Sequence, residues 1–247
     1  MFLPVIPIDL VHFCPISLLK RISIITNGPG IAEVKSLYGQ ASDWVQNVLS
    51  DYDVDVKVVK AYEMEDFSSE RDDAWIITGS AYSVYDDFEW IDYLKMKLSE
   101  MNRIGKAVLG ICFGHQLIAD AFGGKVELNS KGWELGSCQI KLTDSGTANK
   151  LFSGITTPLS VYQSHQDVVV SLPEDATLMA ENDMGIQSFV YNDCLYGVQF
   201  HPEFTKIVME KYLDIRYRKG IINEKPPVEE SKYSHRILNN FIEKIVK

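Results

Sequence analysis

Two short segments carry residue types that together can do covalent chemistry. Gly110-Ile111-Cys112-Phe113-Gly114-His115-Gln116 follows the apolar run Ala107-Val108-Leu109 and reads as a buried strand that breaks sharply into a helix, with a cysteine at the corner. A residue on such a corner projects from the end of the sheet, and flanking glycines remove the Cβ atoms that would clash there. Over the first turn of a helix, unpaired N–H groups and the positive end of the dipole favour the thiolate, the nucleophilic form of the thiol. The second segment, Gly197-Val198-Gln199-Phe200-His201-Pro202-Glu203, ends a strand on a histidine, and Pro202 stops further ladder pairing. In an extended chain Glu203 lies on the same side as His201, where its carboxylate can accept the imidazole N–H and fix the tautomer. A cysteine nucleophile needs such a base, and the base needs such an orienting group. Taken one at a time, the segments leave plainer readings open: a buried structural cysteine at a tight turn, and a surface turn with an incidental His–Glu pair.

The remaining histidines fit the role less well. His115 lies three residues into the helix that Cys112 opens, so its side chain is expected to point back toward the sheet or solvent. His12 and His235 sit in the terminal segments without a companion motif.

Elements of alternating type must hold these segments in place. Arg21–Thr26 is a β-rich run ended by Asn27-Gly28-Pro29-Gly30. A helix is expected around Val34–Leu49, a strand over Val54–Val58, and a third strand over Ala74–Thr78, stopped by Gly79. Residues 89 to 103 carry Ile91, Leu94, Leu98 and Met101 at helical spacing. Strands alternating with helices in this way predict an α/β fold with an open, mostly parallel, flavodoxin-like central sheet and helices on both faces. Ligands of such sheets sit outside the carboxyl ends of the strands, where Gly79 and Cys112 both fall. From about Val126 to Phe200 the pattern changes to short strand-like pieces, Cys138–Leu142, Leu159–Gln163, Ile186–Tyr191 and Leu195–Phe200, between Gly, Asp and Asn turns, and a small antiparallel sheet is expected in addition to the parallel one. Helices near Thr205–Lys219 and Glu229–Val246 close the chain.

With 247 residues, 46% of them hydrophobic, the chain can bury one large core, and residues 21–247 read as a single domain. The net charge of -10, without a basic stripe to offset it, argues against nucleic-acid and anionic-membrane partners. Cys14, Cys112, Cys138 and Cys194 form no C-x-x-C pair, so neither a metal site nor a disulfide framework is indicated, and a cytoplasmic location is expected. The first nineteen residues are apolar but contain Pro4, Pro7, Pro15 and Asp9, and the basic residues Lys20 and Arg21 follow that stretch. That order fits neither a signal peptide nor a membrane span, so the segment reads as an N-terminal extension.

Taken together, the Cys112 and His201 segments closely resemble those of the class I glutamine amidotransferases, over about residues 22 to 205. The resemblance implies Cys112 as nucleophile, His201 as general base and acid, and Glu203 as the orienting carboxylate. It implies an oxyanion hole built from backbone N–H groups of Ser80 or Gly79 and of Phe113. The usual glycine-rich loop reads Gly79-Ser80-Ala81 here, a departure that demands an ordinary backbone at Ser80. Gln116 and the segment Ser164-His165-Gln166-Asp167 stand where the family binds the substrate, His165 as part of a binding wall or as a packed histidine. Lys131-Gly132-Trp133-Glu134 either shapes the substrate entrance or is an ordinary loop anchored by Trp133. No cofactor is implied. The substrate would be glutamine or another γ-glutamyl small molecule, and a separate synthetase or acceptor subunit would receive ammonia. The Gly-Ser loop, the Gln163–Asp167 segment and the Lys-Gly-Trp run resemble the stand-alone, GMP-synthase-like branch that includes γ-glutamyl peptidases. Hydrolysis of glutathione-like compounds, or a non-catalytic scaffold of the same fold, are the alternatives.

Overall fold

Strands that are apolar on both faces require helices on both sides, and the chain supplies them in alternation. The structure, a computed structural model, describes residues 19–247, so the extension expected over 1–20 lies outside the described residues apart from Leu19 and Lys20. In chain order the elements are β1 (Lys20–Thr26), α1 (Ala32–Tyr38), α2 (Ala41–Leu49), β2 (Val54–Lys60), β3 (Ala74–Ile77), α3 (Glu89–Ile104), β4 (Ala107–Ile111) and α4 (Phe113–Ala121). They continue with β5 (Lys125–Leu128), β6 (Glu134–Leu142), α5 (Asp144–Ala148), β7 (Leu159–His165), β8 (Asp167–Ser171), β9 (Ala176–Asn182), β10 (Gly185–Tyr191) and β11 (Leu195–Val198). Helices α6 (Lys206–Arg218) and α7 (Ser234–Asn240) follow, with a single wide π turn over Phe241–Ile245.

Nine strands form one sheet in the order β2-β1-β3-β4-β11-β10-β9-β6-β7. The pairs from β2 to β11 are parallel, a doubly wound arrangement, and the pairs from β11 to β7 are antiparallel. The register sets Ile77 beside Gly110 and Ile111 beside Val198, so β3, β4 and β11 finish level with one another. One face packs Ile22, Ile24, Ile76 and Leu109 against α2 and α7; the other packs Ile25, Trp75, Ile77 and Val108 against α3 and α4. A third cluster, built on Val34, Trp44, Tyr162, Phe204 and Val208, ties α1 and α6 to β7.

Several expectations need correction. The expected small antiparallel sheet is present as β5 with β8, while the pieces over Cys138–Leu142, Leu159–Gln163, Ile186–Tyr191 and Leu195–Phe200 extend the parallel sheet. The helix expected over Val34–Leu49 is two helices. Gly39 breaks it with φ 77°, and Asp43 accepts the Gln40 N–H at 3.0 Å to start the second. The last helix begins at Ser234 rather than Glu229. Residues 229 to 231 are held instead by the neighbouring strands: Glu229 N–H donates to Ser137 Oγ at 2.9 Å, and Ser231 donates from N to Tyr162 Oη at 3.0 Å and from Oγ to Ser160 O at 2.7 Å. The strand expected over Leu195–Phe200 stops at Val198 because the chain changes partners. Gln199 N–H still bonds Gln187 O of β10, but His201 N–H turns to Tyr162 O of β7, both at 2.9 Å. That change carries His201 out of the ladder and over the end of the sheet.

The junction of β4 and α4 is packed too closely for side chains. A Cβ on Gly110 would stand 2.3 Å from Gly114 O, and one on Gly114 would stand 2.6 Å from Ile77 O. Gly110→Ala should therefore cost about 3 kcal/mol, a fall in Tm on the order of 10 °C by thermal unfolding. An unchanged Tm would show that the junction has slack it is not drawn with here.

Candidate active site

Cys112 sits between β4 and α4 with φ 52° and ψ −99°, a conformation that L residues adopt only under constraint. Its own N–H donates to Val198 O at 2.9 Å, and its carbonyl accepts from Gln116 N–H at 3.1 Å. Both anchors, with the two glycines, fix the corner and turn the thiol outward onto a cavity of about 330 Å³ at the carboxyl ends of the strands. His201, Glu203, Gly79, Ser80 and Ser164 share that cavity wall.

His201 is buried, and its Nδ1 lies 2.8 Å from Glu203 Oε1. The carboxylate can only accept, so Nδ1 carries the hydrogen and Nε2 is left for Cys112. The imidazole stacks on Phe204 (centroids 4.1 Å apart, 18° between planes), and Phe204 meets Trp44 edge-on at 5.2 Å. Burial pushes the imidazolium down in pKa, but the charges of Glu203 and Cys112 outweigh it and raise His201 to about 10. A histidine raised in this way stabilises the fold fully below the ordinary value of about 6.5, and loses that contribution as pH rises toward about 10.

The loop after β3 faces the same space. Ser80 has its Oγ occupied: it donates to Asn27 O at 2.6 Å and accepts from Tyr82 N–H at 3.1 Å. The loop is thus held by side-chain bonds, and the Ser80 backbone N–H forms no bond with any described backbone group. Phe113 opens α4, so its N–H belongs to the first turn and has no intrahelical acceptor. A Cβ on Gly79 would come within 3.1 Å of His201 Cε1, which explains the glycine.

Of the residues expected at the substrate, only Ser164 lines the cavity. Gln116 turns away, its Nε2 donating to Asp167 O at 2.8 Å and Gln199 Oε1 at 3.1 Å. Asp167 spends its carboxylate on the hydroxyls of Ser83 and Tyr85. Gln166 accepts the Asn129 N–H at 2.8 Å through its carbonyl. His165 is buried between Asp167 O and Glu134 Oε2, each 3.0 Å from a ring nitrogen. Glu134 is no entrance residue: despite burial it is held below the ordinary carboxylate range by His165, Asn182 and Gln187. His115 is wholly buried against Phe189, and burial pushes it down to about 3, so it stays neutral. Sequence reasoning missed much of the wall, including Gly28, Pro29, Trp44, Tyr82, Tyr212 and Arg216. Asn27-Gly28-Pro29-Gly30 gave a signal, but only of a turn.

A thiol on a strand–helix elbow, beside a buried His–Glu pair and unspent N–H groups, is an arrangement for covalent catalysis by a cysteine. Residues 33–215 match the family model described as glutamine amidotransferase class-I. The chain belongs to the class I glutamine amidotransferase family. Among relatives of the family, γ-glutamyl peptidase 5 of Arabidopsis thaliana is 34% identical over 161 residues, 64% of this chain and 64% of that protein. The A subunit of the glutamine-hydrolysing GMP synthase of Methanosphaera stadtmanae is 46% identical over 99 residues, 39% of this chain and 50% of that one. The chain thus spans just under two thirds of the first of these relatives and half of the second. The fold is shared with a glutamine amidotransferase from Thermotoga maritima, at TM-score 0.75 and 21% identity over 92% of this chain and 98% of that one. Among the described residues, no helix is long and apolar enough to cross a membrane.

The His201 environment makes a direct prediction. Its Cε1–H NMR resonance should report imidazolium past pH 9 in the wild type, and in Glu203→Gln the titration should move to lower pH, because burial then faces only one opposing charge. Superimposable titrations in the two proteins would show that Glu203 does not hold the proton on His201.

Proposed function

We propose that the chain hydrolyses the γ-amide bond of γ-glutamyl compounds through a Cys112 thioester, and that small γ-glutamyl peptides are preferred to free glutamine. The observation that carries this reading is the set of Cys112, His201 and Glu203 on one cavity wall, with the Glu203–His201 bond at 2.8 Å. Cys112 thiolate attacks the γ-carbonyl, and the oxyanion settles between the N–H groups of Phe113 and of Ser80 or Gly79. A single donor of that kind is worth about 3 kcal/mol of barrier. Forming the C–S bond consumes the thiolate charge, one of the two that hold the proton on His201. The imidazolium thereby becomes a stronger acid at the moment the amine must leave, and it gives up its proton as the C–N bond breaks. Water then loses a proton to His201 and attacks the thioester, releasing γ-carboxylate and thiolate.

Two observations support peptides over glutamine. A cavity of about 330 Å³ is in the range that holds drug-sized ligands, larger than one amino acid. The likeness to a γ-glutamyl peptidase extends over 76% of this chain at 31% identity, and that to a glutamine-hydrolysing GMP synthase over 64% at 37%. The second reading, a glutaminase subunit that passes ammonia to a separate synthetase, is favoured by the higher identity of the shorter match to the synthase A subunit, 46%.

Glutamate release from glutathione and from glutamine, measured side by side, separates the two. Efficient cleavage of glutathione with poor use of glutamine is expected; the reverse would favour the synthetase-linked reading. Cys112→Ala should cut either activity about 10⁴-fold or more while leaving Tm within a few degrees of wild type. Residual turnover close to wild type would remove Cys112 from the chemistry.

A further inference from the structure

Arg216 stands in the last turn of α6, one residue beyond the stretch matched by the family model, and its side chain reaches the cavity that holds Cys112 and His201. Its surroundings differ from those of the other cations on that helix. Arg218 pairs with Glu33 at 2.7 Å and Asp214 at 3.1 Å, and Lys211 pairs with Glu33 at 2.7 Å. Among the described residues no carboxylate lies within 4.0 Å of Arg216. The one acid on the cavity wall, Glu203, is bonded to His201. What holds Arg216 is a hydroxyl and aromatic faces: Nη1 donates to Ser164 Oγ at 2.8 Å, and the guanidinium lies 4.5 Å from the Trp133 ring centroid and 5.6 Å from that of Tyr212.

A guanidinium has five N–H donors in a rigid fork, and one of them is used here. Stacking on Trp133 fixes the plane of the fork without neutralising it. Burial pushes Arg216 below its ordinary range, although the opposing charges of Tyr212 and Cys112 act against that. A desolvated cation with free donors in a ligand cavity calls for an anion. Of the other cations on the wall, Lys35 is exposed and hydrated, and His201 is paired with Glu203.

We propose that Arg216 is the carboxylate anchor of the site, gripping the α-carboxylate of the γ-glutamyl group while Cys112 attacks its far end. The assignment rests on the γ-glutamyl reading above and adds to it the feature by which the acyl group is recognised. Three carbons separate the attacked carbonyl from the α-carboxylate, and Cys112 and Arg216 on one wall hold the two ends of such a unit. The Ser164 hydroxyl, bonded to the same fork, fixes its approach.

The test uses electrophiles with that spacing, so that it does not depend on turnover. Labelling rates of Cys112 by 6-chloro-5-oxohexanoate and by its uncharged methyl ester are compared in wild type, Arg216→Met and Arg216→Lys, with melting curves for all three. Wild type is expected to prefer the carboxylate by about 10-fold or more. Arg216→Met, which keeps an apolar stem against Trp133, should lose the preference, and Arg216→Lys should keep part of it. No preference in the wild type overturns the proposal, whether or not the Met variant folds. An equal slowing of both reagents in Arg216→Met also overturns it, because Arg216 would then act on the thiolate. In turnover, KM should rise alike for glutamine and glutathione; a rise for glutathione alone would place Arg216 on the leaving peptide and overturn the assignment. Selective labelling by the carboxylate without hydrolysis of either compound would sink the γ-glutamyl hydrolase reading and leave the carboxylate grip standing.

Discussion

The close approach of α4 to the ends of β3 and β4 is the constraint on which the site depends. It is possible only because residues 110 and 114 have no side chains, since a Cβ at either would lie inside the contact distance of backbone atoms. With the helix that near, the chain has one residue in which to turn from strand to helix, and Cys112 takes up the strain at φ 52°. The same closeness brings the first-turn N–H groups of α4 level with the loop after β3. A strained cysteine and a set of unspent N–H donors are two results of one packing contact.

A second support lies in the antiparallel half of the sheet. Glu134 is buried and accepts from Asn182 and Gln187, with His165 3.0 Å away, while Gln163 donates to Gln187 Oε1 at 2.6 Å. Gln116 and Gln199 extend the polar layer toward α4. Buried groups so connected are costly to rearrange, because freeing one strands its partners without water. The layer backs Ser164 and the chain crossing from β11 to Tyr162, and so holds the wall opposite the elbow.

The parts legible in the sequence are those where local chemistry decides. Glycine on both sides of Cys112 and proline after His201 each specify a backbone event, and alternating strands and helices specify the parallel half. The illegible parts follow from distant partners. β5 is exposed at three of its four positions, and β9 has only two buried residues, so neither shows a clean alternation. Gln116, His165 and Asp167 are polar residues near the motif, and their number carries no sign that they bond to one another rather than to a ligand. Arg216 was hidden for a different reason. A basic residue in the last turn of a helix is what the helix dipole favours, and nothing in spacing separates it from Arg218, which does sit on the surface.

The imidazole, its carboxylate and the guanidinium all belong to the continuous stretch from residue 201 to residue 216, whereas the thiol is carried by the β4–α4 junction far earlier in the chain. Thiol and guanidinium are therefore placed by separate parts of the chain. A change in α6 alters the guanidinium end of the cavity without touching the elbow that carries the thiol.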